Sequence, residues 1–247
     1  MTEPLIGQRV DVLDKGWIEL VDVMPHPASG ITGDLAIVNA ARVSFMGESK
    51  GEEADRKLLF YLLRHHHTSP FEMVEFKFRV RAPLLVWWQW VRHRTFHFQS
   101  ANAQSGRYTA FDENDFYFPG TWRKQSQSNK QASEGELDAD ASAALTRQLE
   151  EFYDRGYGLY EQALQAGVSK EMARLFLPGF SVYYTWVIKV DAHNLMNFLR
   201  LRIAADAQYE IRQYALALYE SFFKPVLPWT AQAFEQYVLN ADSPAGG

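Results

Sequence analysis

A chain of 247 residues with 47% hydrophobic and 15% aromatic residues is long enough for one large domain with a substantial core. Its net charge of −5 excludes broad attraction to DNA or RNA, so any phosphate site must be a local cluster of cations on an acidic protein. There is no cysteine, which excludes disulfides, thiolate-bound zinc, iron–sulfur clusters and a cysteine nucleophile.

In chain order, Arg9 to Met24 holds two strand-like runs around Asp14-Lys15-Gly16. The spacing of apolar residues predicts helices over Ile31 to Val43 and Glu52 to Arg64. Phe71 to Arg81 alternates apolar and charged residues, the pattern of a half-buried strand. Ala82-Pro83 breaks it and opens a short apolar helical segment, Leu84 to Val91, with Trp87, Trp88 and Trp90 read as packing. Thr121 to Ala144 is polar, and 121–140 is expected to be an exposed, mobile loop. A long amphipathic helix follows from about Ala141 to Gln165, stopped by Gly167. Ser169 is placed to cap a further helix that ends before Pro178. Ser181 to Val190 is rich in β-branched and aromatic residues and predicts a strand. Ala192 to Ala205, Ala207 to Phe223 and Trp229 to Leu239 predict helices, and 241–247 a disordered tail. No repeat or linker divides the chain. The expected architecture is a single α+β domain, 1–247, with a twisted, largely antiparallel sheet wrapped by helices. No apolar run can cross a bilayer and the first residues lack signal-peptide order, so a cytoplasmic protein is expected.

The residues that carry chemistry cluster in the middle of the chain. Arg92-His93-Arg94 ends the Leu84 to Val91 segment, and Ser105-Gly106-Arg107-Tyr108 follows shortly after. Arginine presents a planar fork of donors that matches phosphate, and a Ser-Gly turn lets backbone N–H groups approach an anion closely. A single Arg-x-Arg at a helix end is ordinarily a solvated terminus; the second arginine turn argues for a nucleotide phosphate. His93, lying between arginines, is expected to be neutral. His65-His66-His67 does not point to one side in a helix or a strand, so metal binding is disfavoured and His65 and His66 read as solvated. Arg202 follows the very apolar Leu195 to Leu201, where a charge needs a reason; Arg174 alone would read as a surface residue.

His67-Thr68-Ser69-Pro70-Phe71-Glu72, Arg92-His93-Arg94, Ser105-Gly106-Arg107-Tyr108, and Leu195 to Leu199 with Leu201-Arg202 and Ala207-Gln208-Tyr209-Glu210-Ile211 together resemble the flavin-dependent thymidylate synthases. The similarity runs in one order from about Ala40 to Trp229. It implies reductive methylation of dUMP to dTMP with FAD, NADPH and methylenetetrahydrofolate, in a homotetramer with shared active sites, and no protein nucleophile. By the same resemblance, dUMP is bound by Gln89, Arg92, Ala103, Gln104, Ser105, Gly106, Arg107, Arg174 and Arg202. Flavin contacts fall to Ser44, His67, Ser69, Arg92, His93, Arg94, Asn102, Asp191, His193, Asn197 and Leu201. Arg202 is the implied catalytic residue, beside the uracil ring; no metal, membrane or nucleic-acid partner is implied.

The sequence departs from the family pattern in places. Ten residues, Thr95 to Gln104, separate Arg94 from Ser105 where seven are usual, so Gln99-Ser100-Ala101 reads as an insertion. Ala103 stands where the family has a glutamate, and Asp191, His193 and Asp206 stand where asparagine, arginine and histidine are common. Two other readings compete. A flavin reductase that binds nucleotides would oxidise NADPH without forming dTMP. A non-catalytic nucleotide- or RNA-binding module would need only the arginines and would carry no flavin absorbance.

Overall fold

The structure, a computed structural model, describes residues 5–47, 49–96, 101–130 and 132–240. The expected 241–247 tail and the Gln99-Ser100 part of the insertion lie outside the described residues.

Strands β1 (Arg9–Val12) and β2 (Gly16–Met24) form a hairpin around Asp14-Lys15. Helices α1 (Gly33–Arg42) and α2 (Glu52–Arg64) follow, with Thr32 capping α1 by accepting from the Leu35 amide at 3.3 Å. A short 3₁₀ turn, Ser69–Met73, leads into β3 (Glu75–Pro83) and α3 (Leu84–Trp90). The strand expected from Phe71 therefore begins later. Pro70 sets up the turn and Phe71 is its buried side chain.

Strand β4 (Asn102–Ala103) is followed by β5 (Arg123–Gln125) and β6 (Ser133–Glu136), then α4 (Ala139–Gln165) and the one-turn α5 (Lys170–Ala173). Strand β7 (Tyr183–Asp191), α6 (Ala192–Ile203), α7 (Tyr209–Leu218), a π turn at Tyr219–Phe223, the short α8 (Lys224–Val226), α9 (Pro228–Phe234) and a second π turn at Glu235–Leu239 complete the fold.

Five strands form one open sheet in the order β1-β2-β3-β7-β4, every neighbouring pair antiparallel. Alternation decides which side chains turn inward. Phe76, Phe78 and Val80 on β3 and Trp186, Ile188 and Val190 on β7 are buried, whereas Lys77, Arg79 and Lys189 are exposed. Phe222 and Phe223 close the inner face against Phe78 and Phe76. Each fully buried aromatic or aliphatic side chain contributes about 1.5–3 kcal/mol. The buried carboxylate of Asp34 in α1 accepts from the Trp229 and Thr230 amides and the Thr230 hydroxyl, which fastens α9 to α1.

A second, smaller apolar cluster lies outside this core. Phe111, Phe116, Tyr153, Tyr160, Ala173, Leu177 and Val182 join α4 to the 111–118 segment and to the start of β7. Two expectations are corrected here. The 121–140 stretch contains the β5–β6 hairpin, because Arg123 ion-pairs with the buried Glu210 at 2.6 Å and the Trp122 indole donates to Thr146 at 3.0 Å. Helix α4 starts at Ala139, two residues before the expected start, because Asp138 caps it by accepting from the Ala141 amide at 2.9 Å. Ser169 occupies the cap position of α5 but makes no side-chain capping bond. Among the described residues no helix is long and apolar enough to cross a membrane.

Candidate active site

Helix α3 brings the arginine–histidine triplet to the edge of the core. Trp90 is fully buried and stacks on Phe198 of α6, with ring centroids 4.9 Å apart. The chain turns immediately afterwards, leaving Arg92 and Arg94 exposed and His93 half-buried. The His93 ring meets Phe198 edge-on at 4.9 Å. Arg202 Nε donates to His93 Nε2 at 2.8 Å, and its Nη2 donates to the Gln89 carbonyl at 3.4 Å.

A histidine nitrogen that accepts from a guanidinium carries no proton, so the ring proton sits on Nδ1. Burial, and then the charge of Arg202, lower the His93 pKa from 6.5 to about 4. The sequence expectation of a neutral ring is met, but by burial and Arg202 rather than by the flanking Arg92 and Arg94. Arg202 is itself half-buried, and burial lowers its pKa.

A second group of residues forms on the outer edge of the sheet. Asn102 and Ala103 pair with Val187 and Trp186, and the Gln104 amide donates to the Thr185 carbonyl at 2.7 Å. This pairing fixes the Ser105-Gly106-Arg107 turn, in which the Arg107 amide donates to Ser105 Oγ at 3.3 Å. Gly106 is buried, and the site has no room for a side chain, since a Cβ there would lie 2.6 Å from the Phe111 ring. Arg107 and Arg174, far apart in sequence, meet at one residue. Arg107 Nε lies 3.2 Å from a carboxylate oxygen of Glu171, and Arg174 Nε donates to the Glu171 carbonyl at 3.1 Å. Arg107 is 65% exposed, so the pair is weakly held and open to exchange for another anion. Trp186 connects the two groups: it pairs with Ala103 of β4 across the sheet, and its ring meets Trp87 and Trp90 of α3 at 5.0 and 5.6 Å. Trp88, expected as packing, is 59% exposed because it points away from that cluster.

The residues expected on the flavin side divide. His193, Asn197 and Leu201 lie four residues apart on one stripe of α6. With His66, Thr68 and Arg200, His193 and Asn197 line a recess of about 290 Å³. His193 Nδ1 is buried without a hydrogen-bond partner and lies 3.6 Å from Glu72. His67 and Ser69 are exposed at the adjoining turn, with His67 edge-on to Tyr61 at 5.9 Å. Ser44 is exposed on the turn after α1. Asp191 is instead buried as the N-cap of α6, accepting from the Asn194 amide at 2.8 Å and its side-chain nitrogen at 2.7 Å.

An orphaned buried nitrogen beside an exposed amide suits a heteroaromatic ligand rich in donors and acceptors, and a flavin fits that description. The recess is small for a dinucleotide. The fit therefore covers one part of the cofactor.

Sequence reasoning missed three contributors. His66 is exposed, as expected, and also lines the recess, where its left-handed backbone, φ 57°, turns the chain at the end of α2. Glu171 carried no motif, although its spacing of three before Arg174 was a readable signal. Glu210 lay inside a quoted motif without a role; it is buried and accepts from Arg123, Tyr117 and Gln208.

Arg107 on the exposed Glu171 carboxylate, Arg174 on the main-chain carbonyl of the same residue, and Arg202 on a neutral histidine are three guanidinium groups suited to an anionic ligand. Comparison with known proteins is in keeping with this. A family model described as "Thymidylate synthase complementing protein" matches residues 20–229. A flavin-dependent thymidylate synthase of Thermus thermophilus is 48% identical over 230 residues, 93% of this chain and 79% of the relative. One from Dictyostelium discoideum is 40% identical over 236 residues, 94% of this chain and 76% of the relative. Among solved structures, a UMP/dUMP methylase from Streptomyces cacaoi bound with 5-Br UMP superposes with a TM-score of 0.77 at 31% identity, covering 93% of this chain and 98% of that one. The chain belongs to the flavin-dependent thymidylate synthase family.

Proposed function

We propose that this chain methylates dUMP to dTMP with FAD as its bound cofactor and NADPH and methylenetetrahydrofolate as cosubstrates. The observation that carries this reading is Arg202. It is a half-buried guanidinium held by a neutral histidine and a backbone carbonyl, in a chain with no cysteine to attack a pyrimidine ring. A cation beside a uracil lowers the cost of negative charge on the ring, typically by about one to three pKa units. That makes the ring carbon electron-rich without a protein nucleophile, and fixed charge of this kind can be a large catalytic term. Arg107 and Arg174 hold the phosphate, taking it in place of Glu171, and Gln89, Gln104, Ser105 and Gly106 position the nucleotide.

The flavin is held by His193, Asn197 and Leu201 of α6, by His67 and Ser69, and by Ser44, Arg92, His93, Arg94 and Asn102. Asp191 contributes by capping α6. When bound, the flavin supplies the reducing equivalent for the methyl group. Two features support shared sites in a homotetramer: the small size of the α6 recess, and the exposure of Leu175, Phe176 and Phe180 beside Arg174 in sequence. A cytoplasmic setting belongs to the same reading.

A coupled assay that follows dTMP and NADPH separately tests the proposal. The wild-type chain should be yellow and should form dTMP. Arg202→Ala should nearly abolish dTMP formation while NADPH oxidation by the flavin continues. NADPH consumption by the wild type with no dTMP would replace the reading with a nucleotide-binding flavin reductase.

A further inference from the structure

Glu210 is buried at the first turn of α7 and is far from any arginine turn in sequence, yet three side chains donate to it. Arg123 Nη2 donates at 2.6 Å, Tyr117 Oη at 3.2 Å and Gln208 Nε2 at 3.0 Å. Arg123 comes from β5 of the peripheral hairpin, and its guanidinium also covers the Tyr209 ring at 4.6 Å. Tyr117 is held in turn. Its amide donates to the Ser181 carbonyl at 2.9 Å, and its carbonyl accepts from Tyr153 Oη at 2.9 Å.

The same turn of α7 closes the connector that follows Arg202. Arg212 Nε donates to the Ile203 carbonyl at 3.1 Å, and the Arg212 amide to the Gln208 carbonyl at 3.1 Å. The body of α7 is fixed by the core through Ile211, Tyr214 and Leu218. The 204–208 connector before it is half-buried or exposed, and its last residue, Gln208, donates to Glu210.

We infer that Arg123 and Tyr117 clamp Glu210, and that the clamp holds the connector between α6 and α7 so that Arg202 stays on His93. Arg123 and Glu210 are thereby positioning residues. The peripheral hairpin thereby sets the placement of the Arg202 guanidinium. A buried carboxylate with a fully matched donor set fixes one geometry, and losing one donor leaves charge that the site cannot satisfy. The inference rests on the reading of Arg202 given above for its effect on turnover, but the position of Arg202 can be followed without turnover.

The test uses the full chain. NMR of the His93 ring reports whether Arg202 still lies against it, since that charge helps to hold the ring neutral. Arg123→Gln and Glu210→Gln should each raise the His93 midpoint toward its ordinary value, in the direction expected for Arg202→Ala. Neither should raise it further in an Arg202→Ala background. Arg123→Lys should restore most of the wild-type midpoint. In the assay, Arg123→Gln should lower kcat for dTMP at least about tenfold while flavin reduction by NADPH is unchanged. Tyr117→Phe leaves the ion pair in place and should shift the midpoint in the same direction by less, which keeps the test decisive if the charge variants fold poorly. A wild-type midpoint in the Arg123, Glu210 and Tyr117 variants would overturn the clamp. So would equal shifts with and without Arg202. A wild type that makes no dTMP would overturn the functional reading, while the His93 midpoint would still decide the clamp.

Discussion

At the scale of single residues, Arg107 and His93 give the most direct tests. Arg107 is exposed and shares Glu171 with Arg174, so a phosphate must compete with that carboxylate. Arg107→Ala should cost dUMP about 2–5 kcal/mol of binding if the pair is desolvated in the complex. Flavin content should not change. Titration calorimetry decides the point, and unchanged affinity would remove Arg107 from the phosphate site. His93 makes a prediction about pH. Its folded pKa, about 4, lies below the ordinary 6.5, so the unfolded chain binds the extra proton between those values. The stability it contributes is complete above pH 6.5 and is lost as the pH falls toward 4. His93→Phe should therefore flatten the decline in urea midpoint between about pH 7 and about pH 4.5. At this scale the sequence was legible where a residue type has a narrow use: arginine turns, and a charge placed after an apolar run. It was not legible for Glu210, whose donors Arg123 and Tyr117 lie across the fold.

Among the elements, the supports of the arginine turns are the informative part. Gly156 of α4 is buried with no room for a side chain, since a Cβ would lie 2.9 Å from the Phe176 carbonyl, in the turn that carries Arg174. Gly156→Ala should push that turn off the helix. The expected cost is about 1–3 kcal/mol of stability, as for other overpacked sites, with a loss of dUMP affinity that Gly158→Ala, in open space, does not show. Calorimetric unfolding and dUMP titration together check this; equal behaviour of the two variants would refute it. Element existence followed from periodicity: α2 runs over Glu52–Arg64 as expected, and the alternation before Pro83 is β3. The β5–β6 hairpin was not readable, because its strands are three and four residues long and polar. What holds them is Arg123 on Glu210, a contact across 87 positions that no local window contains.

For the molecule as a whole, the sheet is open and its last strand, β4, leads into the Ser105-Gly106-Arg107 turn on an outer edge. The chain's two apolar clusters also differ in what they hold up. The larger contains α3, α6 and α7 and with them His93 and the approach to Arg202. The smaller, built on α4, contains Phe111, against which Gly106 packs, and Ala173, next to Arg174. A cluster of seven buried residues offers less burial than the main core, so it should open at lower free energy as its own cooperative unit. Nucleotide would then bridge two foldons, its base on one and its phosphate on the other. Amide hydrogen exchange should show α4 exchanging faster than β3 and β7 in the free protein and slowing most when dUMP is added. Uniform protection of both units, with and without dUMP, would contradict that partition. If it holds, substrate is the agent that makes a two-part molecule open as one.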